Sequence, residues 1–281
     1  MDIYLCRTCG NAFPIDQDLP GVCPICADDR QWVPQDGQQW TKCSEIAGDH
    51  EFGFVEVEPG LTRLEVRPTF GIGQKTMLIK TPTGQLVWEP NGVVTDAMLT
   101  AAAENGGVAA VSASHPHLVG AAAVWAREFD VPLYFNADDR RWISHPDDRI
   151  GLWRDRLEIL PGITLVQAGG HFPGSSVAHW ADGADGRGVL FSGDTIAVTP
   201  NRTASFMRSF PNYLPLSVRL VRQIVAAVEP YDYDRIYGAF GTCIESDAKR
   251  VVAESAERYL GWLTDAICDP DERSLTVGGI S

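Results

Sequence analysis

The chain has 281 residues, 44% hydrophobic and 21% charged, enough for one large core and a small appendage. A formal net charge of −14 disfavours a nucleic-acid partner, because phosphate backbones are held by cationic surface. No apolar run approaches the roughly 18 residues of a membrane span, and MDIYLCRTCG lacks a basic stretch followed by an apolar one, so a cytoplasmic protein without membrane association is expected.

The first element in the chain is a cysteine quartet. CRTCG (6–10) and CPIC (23–26) are separated by 13 residues between Cys9 and Cys23. Each CxxC can wrap a tight turn, and two such turns supply four thiolates to one tetrahedral ion. In a reducing compartment a clustered quartet reads as metal ligation rather than disulfides. The spacing therefore predicts a structural zinc on Cys6, Cys9, Cys23 and Cys26, within a ribbon over residues 1–45. A rubredoxin-like iron site uses the same ligands, and a redox CxxC is the other alternative. So small a unit buries too little apolar surface to fold alone, so the metal supplies folding energy. Trp32 and Trp40 are the expected apolar contacts of the ribbon with the main domain or with a protein partner.

From residue 46 to 281 short apolar strands alternate with helical stretches. KTMLIK (75–80) and QLVWE (85–89) flank a Thr-Gly turn and read as a hairpin. TDAMLTAAAENGG (95–107) has a Thr or Asp cap, an Ala-rich body and a Gly stop, hence a helix. A buried strand follows over 107–114, a helix over 118–129 and a strand over 132–136. Further strands are expected over 163–170, 176–181 and 188–194, and amphipathic helices over 216–229 and 248–267. The order suggests a layered α/β protein with sheets packed inside helices.

Three polar segments close three of these strands: SHPHLVG (114–120), GGHFPGSSVAHW (169–180) and SGDT (192–195). Four of the six histidines lie in the first two. Histidines and a carboxylate at successive strand ends can converge on one metal. In order and spacing these segments resemble the HxHxDH, GHTPGS and bridging-aspartate motifs of the metallo-β-lactamase superfamily, over roughly residues 55–245. The resemblance implies an αββα sandwich, with His115, His117, His171 and Asp194 matching the ligands available to the first metal. It also implies that the second metal's own ligands are lost. Val119 and Gly120 stand where HxHxDH ends in Asp and His, and Phe240, in YGAFG, replaces a late histidine. Val119 and Phe240 are expected to make the vacated side apolar, with Gly120 leaving room.

One zinc or iron at His115, His117, His171 and Asp194 is the reading that follows, with His171 and Asp194 as catalytic groups. The expected activity is hydrolysis of a small ester, thioester or related acyl compound. The first alternative is iron-dependent oxidation of a thiol or other small molecule, since relatives with persulfide dioxygenase activity hold one iron at positions matching His115, His171 and Asp194. A non-enzymatic scaffold, with the ribbon facing a partner, is the second. Glu89 stands at a strand end where it could orient a metal-binding histidine. Phe206, Arg208, Tyr213 and Phe240 are candidate substrate contacts on loops of the metal edge. His179 is expected to be structural and Cys243 a buried inert thiol, while His50 and His145 carry no motif.

Overall fold

A computed structural model of the chain describes residues 3–15, 18–144 and 146–271. The main body is built on the period of two in its strands. In Thr76–Thr81, Gly84–Trp88 and Val108–Ser112, the side chains of Leu78, Val87 and Val111 turn to one face, and those of Met77, Ile79, Leu86, Trp88 and Ala110 to the other. Both faces are apolar, so each must be covered by another layer.

These strands lie in a seven-stranded sheet of order Ile150–Trp153, Leu133–Asn136, Val108–Ser112, Gly84–Trp88, Thr76–Thr81, Leu61–Arg67 and Glu51–Glu58. Its first four strands run parallel and the rest antiparallel. Helices Asp96–Glu104 and Ala122–Phe129 cover the outer face through Met98, Ala102, Ala122, Val124 and Trp125. The Thr95 hydroxyl caps the first of them by accepting from the Met98 N–H at 3.2 Å.

A six-stranded sheet packs on the other face, in the order Arg156–Leu160, Ile163–Gln167, Ser176–Trp180, Val189–Gly193, Arg235–Gly238 and Cys243–Ile244. Leu165, Ala178, Trp180, Val189 and Phe191 fill the space between the sheets. Helices Val218–Val228 and Ala248–Leu263 close the outer side with Val221, Ile224, Val228 and Val252. Helix, sheet, sheet, helix is the layering expected from the sequence. No helix among the described residues is long and apolar enough to cross a membrane.

The N-terminal unit is a three-stranded antiparallel sheet, Ala12–Phe13 and Trp40–Lys42 flanking Tyr4–Cys6. Its own cluster joins the four cysteines to Phe13 and Ile25. Trp40 packs edge-on against Phe13 at 4.8 Å, inside the ribbon, and Trp32 is 47% exposed. The ribbon is seated by apolar packing, with Ile3, Leu5, Ala12 and Cys43 joining the core around Leu64, Val66 and Val93 and with Ile72 and Trp142 lying on the cysteine cluster, and by polar side chains.

The core between the sheets yields the first test. Replacing Trp180, 4% exposed, by Ala opens a cavity that neighbouring strands cannot close. Urea unfolding should show a loss of about 3–5 kcal/mol; a loss below about 1 kcal/mol would mean that the two sheets are not packed through this residue.

Candidate metal centres

In the ribbon, the Cys6 and Cys26 sulfurs are 3.6 Å apart and those of Cys9 and Cys23 are 3.8 Å apart, with all four residues buried. These separations are far beyond a disulfide and match the edge of about 3.8 Å of a tetrahedron with metal–sulfur bonds of about 2.3 Å. Gln38 braces both turns, donating to the Cys6 sulfur at 3.2 Å and accepting from the Cys23 N–H at 3.0 Å.

The second cluster forms where three strands end on the same edge of the sandwich. Val108–Ser112 leads into Ser114–His117, Ile163–Gln167 into Gly169–His171, and Val189–Gly193 into Asp194. One ligand atom from each of His115, His117, His171 and Asp194 lies within 4.8 Å of the others, and all four residues are buried. His171 Nε2 is 3.3 Å from His117 Nδ1, and the Asp194 Oδ2 is 3.6 Å from His115 Nε2 and 3.9 Å from His171 Nε2.

The surrounding hydrogen bonds decide which nitrogen of each ring faces inward. Ser114 donates to Glu89 Oε1 at 2.5 Å, and its oxygen, 2.8 Å from His115 Nδ1, is thereby left to accept the ring N–H. His171 donates from Nδ1 to the Met207 carbonyl at 3.1 Å. Both rings therefore keep the Nε2 lone pair for the cluster. Glu89 thus reaches His115 through Ser114, an intermediary that sequence reasoning missed. The approach depends on Gly193, at φ +53°: a Cβ there would sit 2.1 Å from the Ser114 hydroxyl and 2.8 Å from Glu89 Oε1. Glu89 itself holds a left-handed φ of 55°, unusual for a residue with a side chain.

Burial dominates the electrostatics. It drives His115 and His117 well below the usual imidazole range, with neighbouring His171 and Arg30 adding to the effect. It lowers His171 to about 4 and raises Asp194 to about 7. Burial also pushes Glu89 up to about 8, opposed by the Ser114 hydroxyl and reinforced by Asp194. Neutral imidazoles cannot pair with a carboxylate as cations, so Asp194 has a buried charge with no cationic partner in the cluster. His115 Nε2 is moreover a buried nitrogen with no hydrogen-bond partner. Three nitrogens and one oxygen in this state fit a divalent ion such as zinc or ferrous iron, which would satisfy all of them at once.

Two of the three positions expected to mark a lost second metal behave differently from expectation. Gly120 leaves no room: a Cβ there would lie 2.0 Å from the Pro90 carbonyl oxygen, and φ is +50°. It is a crossing point of two backbones, so a histidine cannot be restored there. Val119 lines a small cleft at the ribbon boundary beside Asn11, Ile25 and Trp142, rather than the face next to Asp194. Phe240, 44% exposed, does line a cleft of about 380 Å³ that reaches Asp194, together with Val198, Met207, Phe210 and Tyr213.

Of the other expected substrate contacts, Phe206 is fully buried and packs edge-on against Tyr259, and Arg208 pairs with Asp29 of the ribbon at 2.9 Å. Neither faces the cleft as a free side chain. His179 meets the Asp232 carbonyl at 2.7 Å, a structural contact, and His50 meets the Ile46 carbonyl. Cys243 is half-buried, its thiol pushed up to about 11 by burial. His145 lies outside the described residues. Phe172, which sequence reasoning passed over, is completely buried with its ring centroid 4.7–5.6 Å from those of His115, His117 and His171.

The ribbon sits directly on this cluster. Asn11 donates both to the His117 carbonyl at 3.0 Å and to the Cys9 sulfur at 3.4 Å. Arg30, 4% exposed, donates from Nε to the His171 carbonyl at 2.6 Å and lays its guanidinium over the Phe172 ring at 4.1 Å. No motif marks Arg30 or Asn11 in the sequence.

Comparison with known proteins agrees with this geometry. The family model described as "Metallo-beta-lactamase superfamily" matches residues 74–239. Protein YmaE of Bacillus subtilis (strain 168), itself uncharacterized, is 35% identical over 264 residues, covering 92% of this chain and 96% of its own length. Among solved structures, VMB-1 aligns with a TM-score of 0.58 at 10% identity, covering 76% of this chain and 98% of its own. The metallo-β-lactamase FIM-1 from Pseudomonas aeruginosa, in its mono-zinc form, aligns with a TM-score of 0.55 at 13% identity, covering 74% and 95%. At these identities the structural likeness concerns the fold.

The raised Asp194 gives a pH-dependent signature. At pH 6 a group titrating at about 7 is mostly protonated, and ion binding must expel that proton; at pH 8.5 the proton is already gone. The lowered imidazoles are neutral at both values and release none. Calorimetric titration of Zn²⁺ into the histidine cluster, in buffers of different ionisation enthalpy, should show about one proton released at pH 6 and clearly fewer at pH 8.5. Asp194→Asn should abolish the release at pH 6. Equal release at both pH values would contradict this reading of Asp194.

Proposed function

The chain belongs to the metallo-beta-lactamase superfamily, and on that footing we propose that it is a single-zinc hydrolase of small, uncharged ester or thioester compounds. The observation that carries the proposal is the division among the ligand positions. His115, His117, His171 and Asp194 converge, whereas the places of the second metal's own ligands hold a side chain at the ribbon boundary, a glycine against the Pro90 carbonyl, and an exposed phenylalanine.

A divalent ion at the cluster supplies Lewis acidity, polarising a carbonyl and acidifying water. The chain's own residues do the rest. Ser114 and the Met207 carbonyl fix the ring orientations, so the donor set needs little rearrangement on binding. The cleft beside Asp194 is lined mainly by apolar groups, and among the described residues Asp194 is its one charged lining residue. It suits the apolar body of a neutral acyl compound and offers no cation to a carboxylate or phosphate. Beside an ion the Asp194 carboxylate is held ionised, so its part there is as a ligand, and the rise to about 7 belongs to the ion-free cluster.

The iron oxygenase reading uses His115, His171 and Asp194 as a facial set. His117 Nδ1, 3.3 Å from His171 Nε2, would add a fourth donor and occupy part of the face such chemistry leaves open. Four protein donors restrict a four-coordinate zinc at least as much as a six-coordinate iron, so the choice between the two rests on the metal exchange that follows.

The experiment loads the histidine cluster with Zn²⁺ or Fe²⁺ and screens aryl esters, acyl thioesters and thiols while recording oxygen uptake. The expected result is oxygen-independent hydrolysis by the zinc form, falling at least about 100-fold in His171→Ala. Iron-specific oxygen consumption would replace the hydrolase by the oxygenase. Absence of turnover on all substrates with either ion would favour a non-enzymatic scaffold.

A further inference from the structure

The ribbon contributes a side chain to the metal cluster itself. Gln31 is 7% exposed, and its Nε2 lies 3.3 Å from His117 Nδ1, the ring nitrogen that faces the cluster. The same nitrogen is 3.3 Å from His171 Nε2. The amide end of Gln31 thus stands as close to His117 as another ligand does, at a separation typical of donors sharing one ion. Its Oε1 is buried without a hydrogen-bond partner.

The backbone that presents Gln31 is fastened to the main domain from several sides. Asn212 donates to the carbonyls of Asp29 and Gln31 at 2.9 and 3.0 Å, and Ser209 donates to that of Arg30 at 3.0 Å. Arg208 pairs with Asp29, and Arg30 holds the His171 carbonyl. These contacts fasten three consecutive residues, Asp29, Arg30 and Gln31. They fix one side chain against one imidazole.

We propose that Gln31 is an oxygen ligand, delivered by the ribbon, to the ion held by His115, His117, His171 and Asp194. The inference rests on the single-ion reading of that cluster. An ion takes the His117 Nδ1 lone pair and repels an adjacent N–H. Turning the carboxamide about its terminal torsion, a soft two-fold rotation, exchanges Nε2 for Oε1. The oxygen has no hydrogen bond to lose, and the turn brings it to the place that Nε2 now holds, 3.3 Å from His117 Nδ1. The cysteine site then acts on the cluster at a distance, because the fold of the ribbon places residue 31.

Cobalt tests this without any assay of activity. Protein that retains its ribbon metal is titrated with Co²⁺ alone, and the visible d–d bands report the number and type of ligands at the histidines. Gln31→Leu keeps the bulk and removes the oxygen. The expected result is an apparent Co²⁺ affinity lower by about tenfold or more, with altered d–d bands. Gln31→Glu should restore both. Unchanged ribbon metal content in each variant shows that the ribbon remains folded. Wild-type affinity and spectrum in Gln31→Leu would overturn the inference while leaving the single-ion reading intact. Failure of the wild-type protein to take up Co²⁺ at the histidines would instead remove that reading, and the inference with it.

Discussion

Three imidazole nitrogens and a carboxylate oxygen crowd together inside the protein, within 4.8 Å of one another, and most of the surrounding structure is arranged around that crowding. Lone pairs that face each other in a low-dielectric interior repel, and burying a carboxylate without a partner is costly. The raised Asp194 and the lowered histidines record the same tension. A cation relieves it at every atom simultaneously, which is why the donor set is best understood as a site rather than as packing. The shell around it prevents the rings from escaping by other means. Ser114 and Glu89 hold His115, the Met207 carbonyl holds His171, and Phe172 fills the space behind all three rings.

The ribbon changes how this edge of the sandwich should be viewed. In chain order it precedes the main body, yet its Asp28–Gln31 segment lies over the histidine loops. Asn11 touches a cysteine sulfur with one hydrogen bond and the His117 carbonyl with another. Arg30 is buried deeply because its cation is satisfied three ways, by Asp28 at 2.5 Å, by the His171 carbonyl and by the face of Phe172. A structural unit seated this way shields one side of the cluster and leaves the apolar cleft of Phe240, Phe210 and Tyr213 as the approach to Asp194.

Much of this was legible in the sequence, for physical reasons that differ from element to element. The cysteine quartet and the three histidine and aspartate segments announce themselves by spacing, because ligands must close around one point. The hairpin over 75–89 and the helix capped by Thr95 follow from period and capping chemistry. Strand Glu51–Glu58 was invisible, since an edge strand carrying Glu51, Glu56 and Glu58 shows little apolar alternation. The role of Gly120 was misjudged, because a glycine motif records a close backbone approach as readily as empty space. Arg208 looked like a substrate contact and is an anchor for Asp29. Arg30, Gln31 and Ser114 could not be found at all, for their importance lies in contacts with His171, His117 and Glu89, which are 141, 86 and 25 positions away and which no local pattern encodes.

The central claim is that one ion, and one only, belongs to the histidine cluster, beside one in the ribbon. Anomalous diffraction above and below the zinc absorption edge, on crystals of protein purified with zinc, measures this atom by atom. The result expected is two anomalous peaks per chain, one among Cys6, Cys9, Cys23 and Cys26 and one among His115, His117, His171 and Asp194. A third peak on the side of Val119 or Phe240, or none at the histidines, would contradict it.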